Sequence, residues 1–477
     1  MEQKNGYKNW IIGLVLYFIF SRLLFYLIGI RFDASPLSWF YQFPDPVDLK
    51  NDLFRSILYL HIQPPLFNLF VGLIINLTNN SDIVFHTVYL LCGLIMTILL
   101  FKLQIFLGIS PFISFLLSLL FASSPPVILY ENWLFYEYPV AFLLLISCYF
   151  LYHFIINRKT INLILFFSSI SLIVLTRTIF HIIWFIAIKI LLLAIFQKNL
   201  KKILISCFLP FILIFIFYFK NYLIFGQFSL NSWAGMNLIK MTWAVPTDQI
   251  NKHVEDKKIS EIASILPFGK PEDYQKYANF DTITNIAVLD KKFKETGIPN
   301  FNHIGYIKVS KEYYKAAKYL IAKYPQYYLI SVAKAFYAYL KPCSDSTIIK
   351  GNNRSVINPY LHFYEYYLLG GFLIKFWHRI YTNQFGKNDI IYINLLYIYL
   401  PIIYLWGFLL LFKGKTLLKI AEPQKIILFL IIFNILYVTI VGNLTETGEN
   451  MRFRFLLLPY TYILLGTLAQ KIFNQHA

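Results

Sequence analysis

Apolar runs close to 20 residues long recur along the chain, near 10–30, 84–104, 110–129, 135–156, 161–178, 180–197, 203–224, 389–412, 425–443 and 453–471. Each has roughly the length a helix needs to cross ~30 Å of hydrocarbon. The first begins after MEQKNGYKNW, is long for a signal-peptide core and has no small-residue cleavage site behind it, so it predicts an uncleaved signal-anchor helix. With Lys4 and Lys8 in the cytoplasm, Lys102, Arg158–Lys159, Lys198 with Lys201 and Lys202, and Lys413, Lys415, Lys419 and Lys425 all fall on that same side. That is the charge bias expected of cytoplasmic loops. Pro64 to Leu77 is apolar too, but at ~1.5 Å per residue it reaches only about 20 Å. It predicts an interfacial or re-entrant helix on the outer side, with Leu66, Leu73 and Leu77 on one face.

The pattern predicts an all-α polytopic membrane protein of about ten transmembrane helices, with amphipathic interfacial helices and a mainly helical external domain. Three parts follow. Residues 1–224 form a transmembrane module with an external loop at 31–82. Residues 225–388 form an external (periplasmic) helical domain, and 389–477 return to the membrane with an Arg-rich external loop. In the middle part, KEYYKAAKYLIAKYPQYYLISVAKAFYAYL predicts a helix pair broken at Pro325. Tyr360 to Arg379, with His362, Glu365, Lys375 and His378, predicts a helix on the membrane surface. Composition agrees: 58% of the 477 residues are hydrophobic and 14% charged, against about 25% charged in soluble chains. The net charge of +19 sits largely in the basic short loops, so it signals membrane topology rather than nucleic acid. The four cysteines, Cys92, Cys148, Cys207 and Cys343, share no short spacing and indicate neither a disulfide framework nor a zinc site.

Chemistry concentrates where the runs end on the outer side. The first loop carries Asp33, just past the first helix, then Asp45, Asp48 and Asp52, and closes on His61, Gln63 and Pro64–Pro65. A carboxylate at the membrane surface under a shielding loop suits a general base; Asp45 and Asp52 read as solvated loop groups. Glu131 and Glu137 lie six residues apart in an aromatic belt, at a depth where carboxylates face a cavity or a partner. Arg177 and His181 sit at outer helix ends, and Arg22 lies inside the first helix; an ion pair of such an Arg with Glu131 or Glu137 is as good a reading as a substrate contact. Glu446, Glu449, Arg452 and Arg454 gather in GNLTETGENMRFRFLLLPY. Two guanidinium groups there suit a phosphate or diphosphate, sharing a face if the stretch is extended. Walker, dinucleotide-binding and HExxH motifs are absent. No cofactor is indicated, and a divalent metal, although compatible with the chemistry, is not indicated either.

Taken in order, these residues resemble the GT-C fold glycosyltransferases that use lipid-linked sugars. The nearer likeness is to protein mannosyltransferases, the aminoarabinose transferase of lipid A and the RgtA/B/C/D-like glycosyltransferase domain. It rests on Asp33 after the first helix, His61-Ile62-Gln63-Pro64-Pro65-Leu66, an acidic residue after the third helix (Glu131 or Glu137) and Glu449-Asn450-Met451-Arg452-Phe453-Arg454. The family's acidic pair is Asp33-Ala34 here, and its Lys before Pro-Pro is Gln63, so Asp48 is a second candidate for the acidic role. The resemblance implies transfer of a hexose or pentose from a polyprenyl-phosphate donor to a glycan, lipid or protein acceptor. It places the site on the outer face of a bacterial inner (plasma) membrane, with membrane lipid and no nucleic acid as partners. It also implies Asp33 or Asp48 as base and Arg452, Arg454 or Arg177 as phosphate holder. His61, Gln63, Glu131, Glu137, His181 and Glu449 then face substrate, and Trp233 and Asn237, in FGQFSLNSWAGMNL, shape the acceptor site. Alternatives are an O-antigen ligase or polymerase, and a lipid or glycan transporter.

Overall fold

The structure, a computed structural model, describes residues 6–349, 351–369 and 395–476. Among these, six helices are long and apolar enough to cross a membrane: Lys8–Leu27, Ser81–Phe106, Glu137–Asn157, Gln197–Phe225, Leu396–Leu418 and Glu422–Thr445. A seventh is added if Pro111–Ser123 and Pro125–Glu131, bent by 54°, count as one broken span. By length and composition the chain is a multi-pass helical membrane protein. In hydrocarbon every backbone group must bond within its own segment, and a helix satisfies that requirement.

Of the about ten expected spans, six or seven described helices meet this length and composition, and the other runs fall short of it for identifiable reasons. Thr160–Val174 and Ile182–Ile195 have only 15 and 14 residues, or about 21–23 Å of helix. The run at 110–129 breaks at Ser124, where Pro125 and Pro126 follow, because proline cannot donate into the turn before it. The run at 453–471 divides at Leu457 into Met451–Leu456 and Leu458–His476. Pro65–Leu77 is a separate 13-residue helix with Pro at its first turn, a position where the missing N–H costs nothing. Its face of Phe67, Asn68, Val71 and Ile74 is buried, whereas Leu73 and Leu77 are exposed.

One end of the bundle carries a cap made of two distant stretches. The first loop contributes the short helices Pro36–Trp39, Pro46–Asn51 and Leu53–Leu58. The middle stretch contributes Gly305–Lys323 and Pro325–Leu340, which meet at the expected Pro325. They are fastened by Lys291 Nζ to Asp48 Oδ1 (2.7 Å), Lys294 Nζ to the Phe40 carbonyl (2.8 Å) and the Glu295 amide to Asp45 Oδ2 (2.8 Å). Helix Ala234–Leu238 crosses Gly305–Lys323 at Gly235, where a Cβ would stand 1.8 Å from the Ser310 carbonyl oxygen, so only glycine fits. Asn352–Phe363 then runs back over the first helix, its Asn353 amide bonded to the Arg31 backbone. The rest of the expected surface helix, with Lys375, His378 and Arg379, lies outside the described residues.

Candidate functional site

At the capped end, six charged side chains meet. Glu137 opens its helix, Arg177 follows Thr160–Val174, Lys240 comes from the short turn after Ala234–Leu238, and Glu446, Glu449 and Arg452 come from the link after Glu422–Thr445. Glu137 Oε1 accepts from Arg452 Nη1 at 3.3 Å and pairs with Arg177 Nη2 at 3.7 Å. Glu449 Oε2 lies 3.9 Å from Arg452 Nε, and Glu446 Oε1 lies 3.6 Å from Lys240 Nζ. Arg177 also donates to the Tyr136 hydroxyl and lies over its ring. Three carboxylates face three cations, so the network is balanced. Burial alone would push the Glu446 carboxyl up, but Lys240, Arg452 and Arg177 together hold it below its usual range. Tyr41 reaches the network from the first loop; burial pushes its phenol up, against the pull of Arg452. Glu137 Oε2 and Arg177 Nε, both buried, have no hydrogen-bond partner among the described residues, and such atoms cost free energy unless a ligand or water meets them.

Two cavities flank the Met451–Leu456 helix. The first, about 410 Å³, is walled by apolar side chains such as Leu400, Ile403, Leu458 and Leu465, with Arg454 and Ser344 at its polar part. Arg454 is 3% exposed and spends Nε and Nη2 on the Tyr339 and Lys341 carbonyls; among the described residues no carboxylate lies within ion-pair distance of it. The second cavity, about 460 Å³, is lined by Arg177, His181, Asn231, Asn237, Glu446 and Phe453, among others. The expected Arg452–Arg454 pairing on an extended stretch is thus corrected. The segment is helical, and residues two apart on a helix point about 200° away from each other. Arg452 meets Glu137, and Arg454 meets the apolar cavity. Glu449 does not face open space; it receives the Thr347 amide (2.8 Å) and the Ser346 and Thr347 hydroxyls, strapping that loop onto the helix.

The other sequence-derived residues are spread around this centre. Asp33 forms an isolated parallel bridge with Trp133, and its Oδ1 accepts the Ser35 amide at 2.9 Å; it lines neither cavity and makes no ion pair among the described residues. Asp48 is buried against Lys291, and burial pushes its carboxyl up despite that partner. His61 is buried in the seam of the cap, with Nδ1 2.7 Å from Ser232 Oγ and Nε2 2.9 Å from the Asn302 carbonyl; burial pushes its imidazole down to about 3. Gln63 is buried, and its Oε1 has no hydrogen-bond partner among the described residues. Glu131 turns away from Glu137 toward the first helix, where Arg22 grips it through Nε–Oε1 (2.8 Å) and Nη2–Oε2 (2.9 Å). Trp233 packs against Tyr41, Phe268 and Phe301, and its Nε1 has no hydrogen-bond partner among the described residues. His181 and Asn237 line the second cavity. Lys240, Tyr41 and Tyr136 were not singled out in the sequence; their one visible signal is a polar tip inside an aromatic or apolar stretch. Among the described residues no three His, Cys, Asp or Glu side chains are grouped to hold a metal. No family model matches the chain, and neither does any curated protein or solved structure.

Proposed function

We propose that the protein is a membrane glycosyltransferase that takes a sugar from a polyprenyl-phosphate donor and passes it to an acceptor hydroxyl at the capped end of the bundle. The observation that carries this reading is Arg454. Among the described residues no carboxylate lies within ion-pair distance of this buried cation, Asp345 acting on it only from farther off, and a buried cation so placed costs several kcal/mol; it stands in a mainly apolar cavity. An amphiphile with an anionic head and a hydrocarbon tail answers both features: its phosphate neutralises Arg454 and its tail lies along Leu458 to Leu468, about 15 Å of helix.

The step is a single displacement. The acceptor oxygen bonds to the anomeric carbon as the bond from that carbon to the phosphate oxygen breaks, and the configuration inverts. Asp33, which lies outside both cavities, takes the proton from an acceptor hydroxyl that projects beyond them. The polyprenyl phosphate leaves with the bonding electrons, stabilised by Arg454. Asp33 suits the role better than Asp48, because Asp48 is committed to Lys291 whereas Asp33 receives a single backbone amide. In this reading the two shorter helices and Leu458–His476 also cross, completing ten passages. The basic loops then lie in the cytoplasm of a bacterial cell and the cap in the periplasm.

The test uses full-length protein in lipid nanodiscs. Truncating one partner of a buried charge pair costs about 2–5 kcal/mol, so Arg454→Met is expected to weaken undecaprenyl-phosphate binding by about 30-fold or more. Asp33→Asn should keep that binding and lose transfer by ~10²–10⁴-fold. Unchanged lipid affinity in Arg454→Met, in protein that remains folded, refutes the donor site.

A further inference from the structure

We infer that the 460 Å³ cavity beside the charge network receives a neutral, polyhydroxylated unit, the sugar of a glycan acceptor, and discriminates against anionic ones. The word acceptor rests on the glycosyltransferase reading; the ligand class rests on the cavity itself.

Charge comes first. The cavity's two ionised walls are already compensated, Arg177 by Glu137 and Glu446 by Lys240. An incoming phosphate or carboxylate would meet the Glu446 carboxylate with no spare cation to neutralise it. The neighbouring apolar cavity is the opposite case, since among the described residues no carboxylate lies within ion-pair distance of Arg454, so the two sites sort ligands by charge.

Hydrogen-bonding capacity comes second. The Asn237 side-chain amide has no partner among the described residues. Asn231 spends Oδ1 on the Trp233 amide (2.6 Å) and keeps its NH₂ group. His181 accepts the Ile183 amide on Nδ1 (3.4 Å) and keeps Nε2. Arg177 Nε is buried with no hydrogen-bond partner among the described residues, and Glu446 adds acceptor oxygens. Donors and acceptors are therefore interleaved, which suits hydroxyl groups because each both gives and receives. Phe453 and Leu238 supply apolar surface for the C–H face of a ring. The volume falls in the ~300–1,000 Å³ range of small-ligand sites.

The experiment is saturation-transfer NMR on full-length protein in nanodiscs. The probes are methyl glucoside, methyl galactoside, methyl mannoside, the methyl glycoside of glucuronate and inorganic phosphate. At least one neutral glycoside should bind, and the uronate and phosphate should bind at least 5-fold more weakly. Asn237→Leu should weaken the neutral glycoside at least 10-fold and leave undecaprenyl-phosphate affinity within 2-fold. Glu446→Gln, which leaves one excess positive charge, should raise uronate or phosphate binding relative to the neutral sugar. A merely structural role for these residues would not produce that switch. The inference is overturned if no neutral glycoside binds, if the native protein takes the uronate or phosphate equally well, or if folded Asn237→Leu binds as the native protein does. If glycosides bind and respond to Asn237→Leu while undecaprenyl phosphate does not bind, the donor reading fails and this one stands. If the lipid binds and the glycosides do not, this one fails alone.

Discussion

Glu131→Gln separates a structural carboxylate from a substrate-facing one. In the native protein Arg22 holds Glu131 by two parallel bonds of 2.8 and 2.9 Å, and Tyr138 donates a third, 2.7 Å, to Oε2. The Arg22 and Glu131 side chains are 11% and 1% exposed, and although both line a cavity of about 290 Å³, water there does not supply the lost negative charge. Arg22 Nη1 is already bonded to the Ala122 carbonyl and Ser21 Oγ, which leaves it little freedom to find another partner. Breaking one side of a buried pair costs about 3–5 kcal/mol, whereas replacing both sides with well-packed apolar groups is often neutral. Glu131→Gln should therefore destabilise the protein by about 3–5 kcal/mol, and Arg22→Met with Glu131→Met should recover most of that. Unfolding followed by size-exclusion fluorescence in detergent, across a temperature series, measures both. A Glu131→Gln protein of native stability that has lost sugar transfer would refute the structural assignment, as would a double variant no better than the single.

Two further outcomes test the cap. His61 and His303 are both pushed down by burial, His61 from 6.5 to about 3, so each is neutral when folded and takes up a proton on unfolding below 6.5. The His61 contribution is complete above pH 6.5 and drains as pH falls toward 3, and that of His303 is lost in the same direction. By pH 5 His61 alone should remove about 2 kcal/mol at ~1.4 kcal/mol per unit. Faster amide hydrogen exchange at residues 56–63 and 300–304 at pH 5 than at pH 8 is expected, and equal protection would refute the seam. Gly235→Ala sets a Cβ 1.8 Å from the Ser310 carbonyl oxygen and 2.7 Å from the Tyr314 nitrogen, backbone atoms that cannot swing away. Overpacking of this kind costs about 1–3 kcal/mol or more, and it should appear as faster limited proteolysis across 226–349; native-like resistance would count against the close crossing.

The long helices were legible because apolar length is a one-dimensional property: Ser81–Phe106 and Glu422–Thr445 fall where the runs place them. Proline was legible at Pro325, but the Ser124–Pro125–Pro126 break was read through, since the run stays apolar on both sides. The network's members were visible but for Lys240. Glu137, Arg177, Glu446, Glu449 and Arg452 are charges at the ends of apolar runs, which sequence flags. Their partners depend on how helices rotate about their axes, which it does not. Glu131 and Glu137 look alike in sequence, yet one faces Arg22 and the other faces Arg177 and Arg452. His61, three residues ahead of Pro64–Pro65, read as a ligand contact; in space it joins two stretches 241 residues apart, a pairing that local pattern cannot carry.

The Met451–Leu456 helix gives three consecutive residues three separate addresses: Arg452 at Glu137, Phe453 at the polar cavity and Arg454 at the apolar one. Each residue of an α-helix advances about 100°, so adding or removing a single position ahead of Arg452 would rotate every occupant into its neighbour's place. Phe453 would replace a guanidinium and a guanidinium would enter the charge-balanced chamber. This turn therefore accepts substitution far more readily than a change of length, and its residue count is as much a determinant of the site as the identity of its side chains.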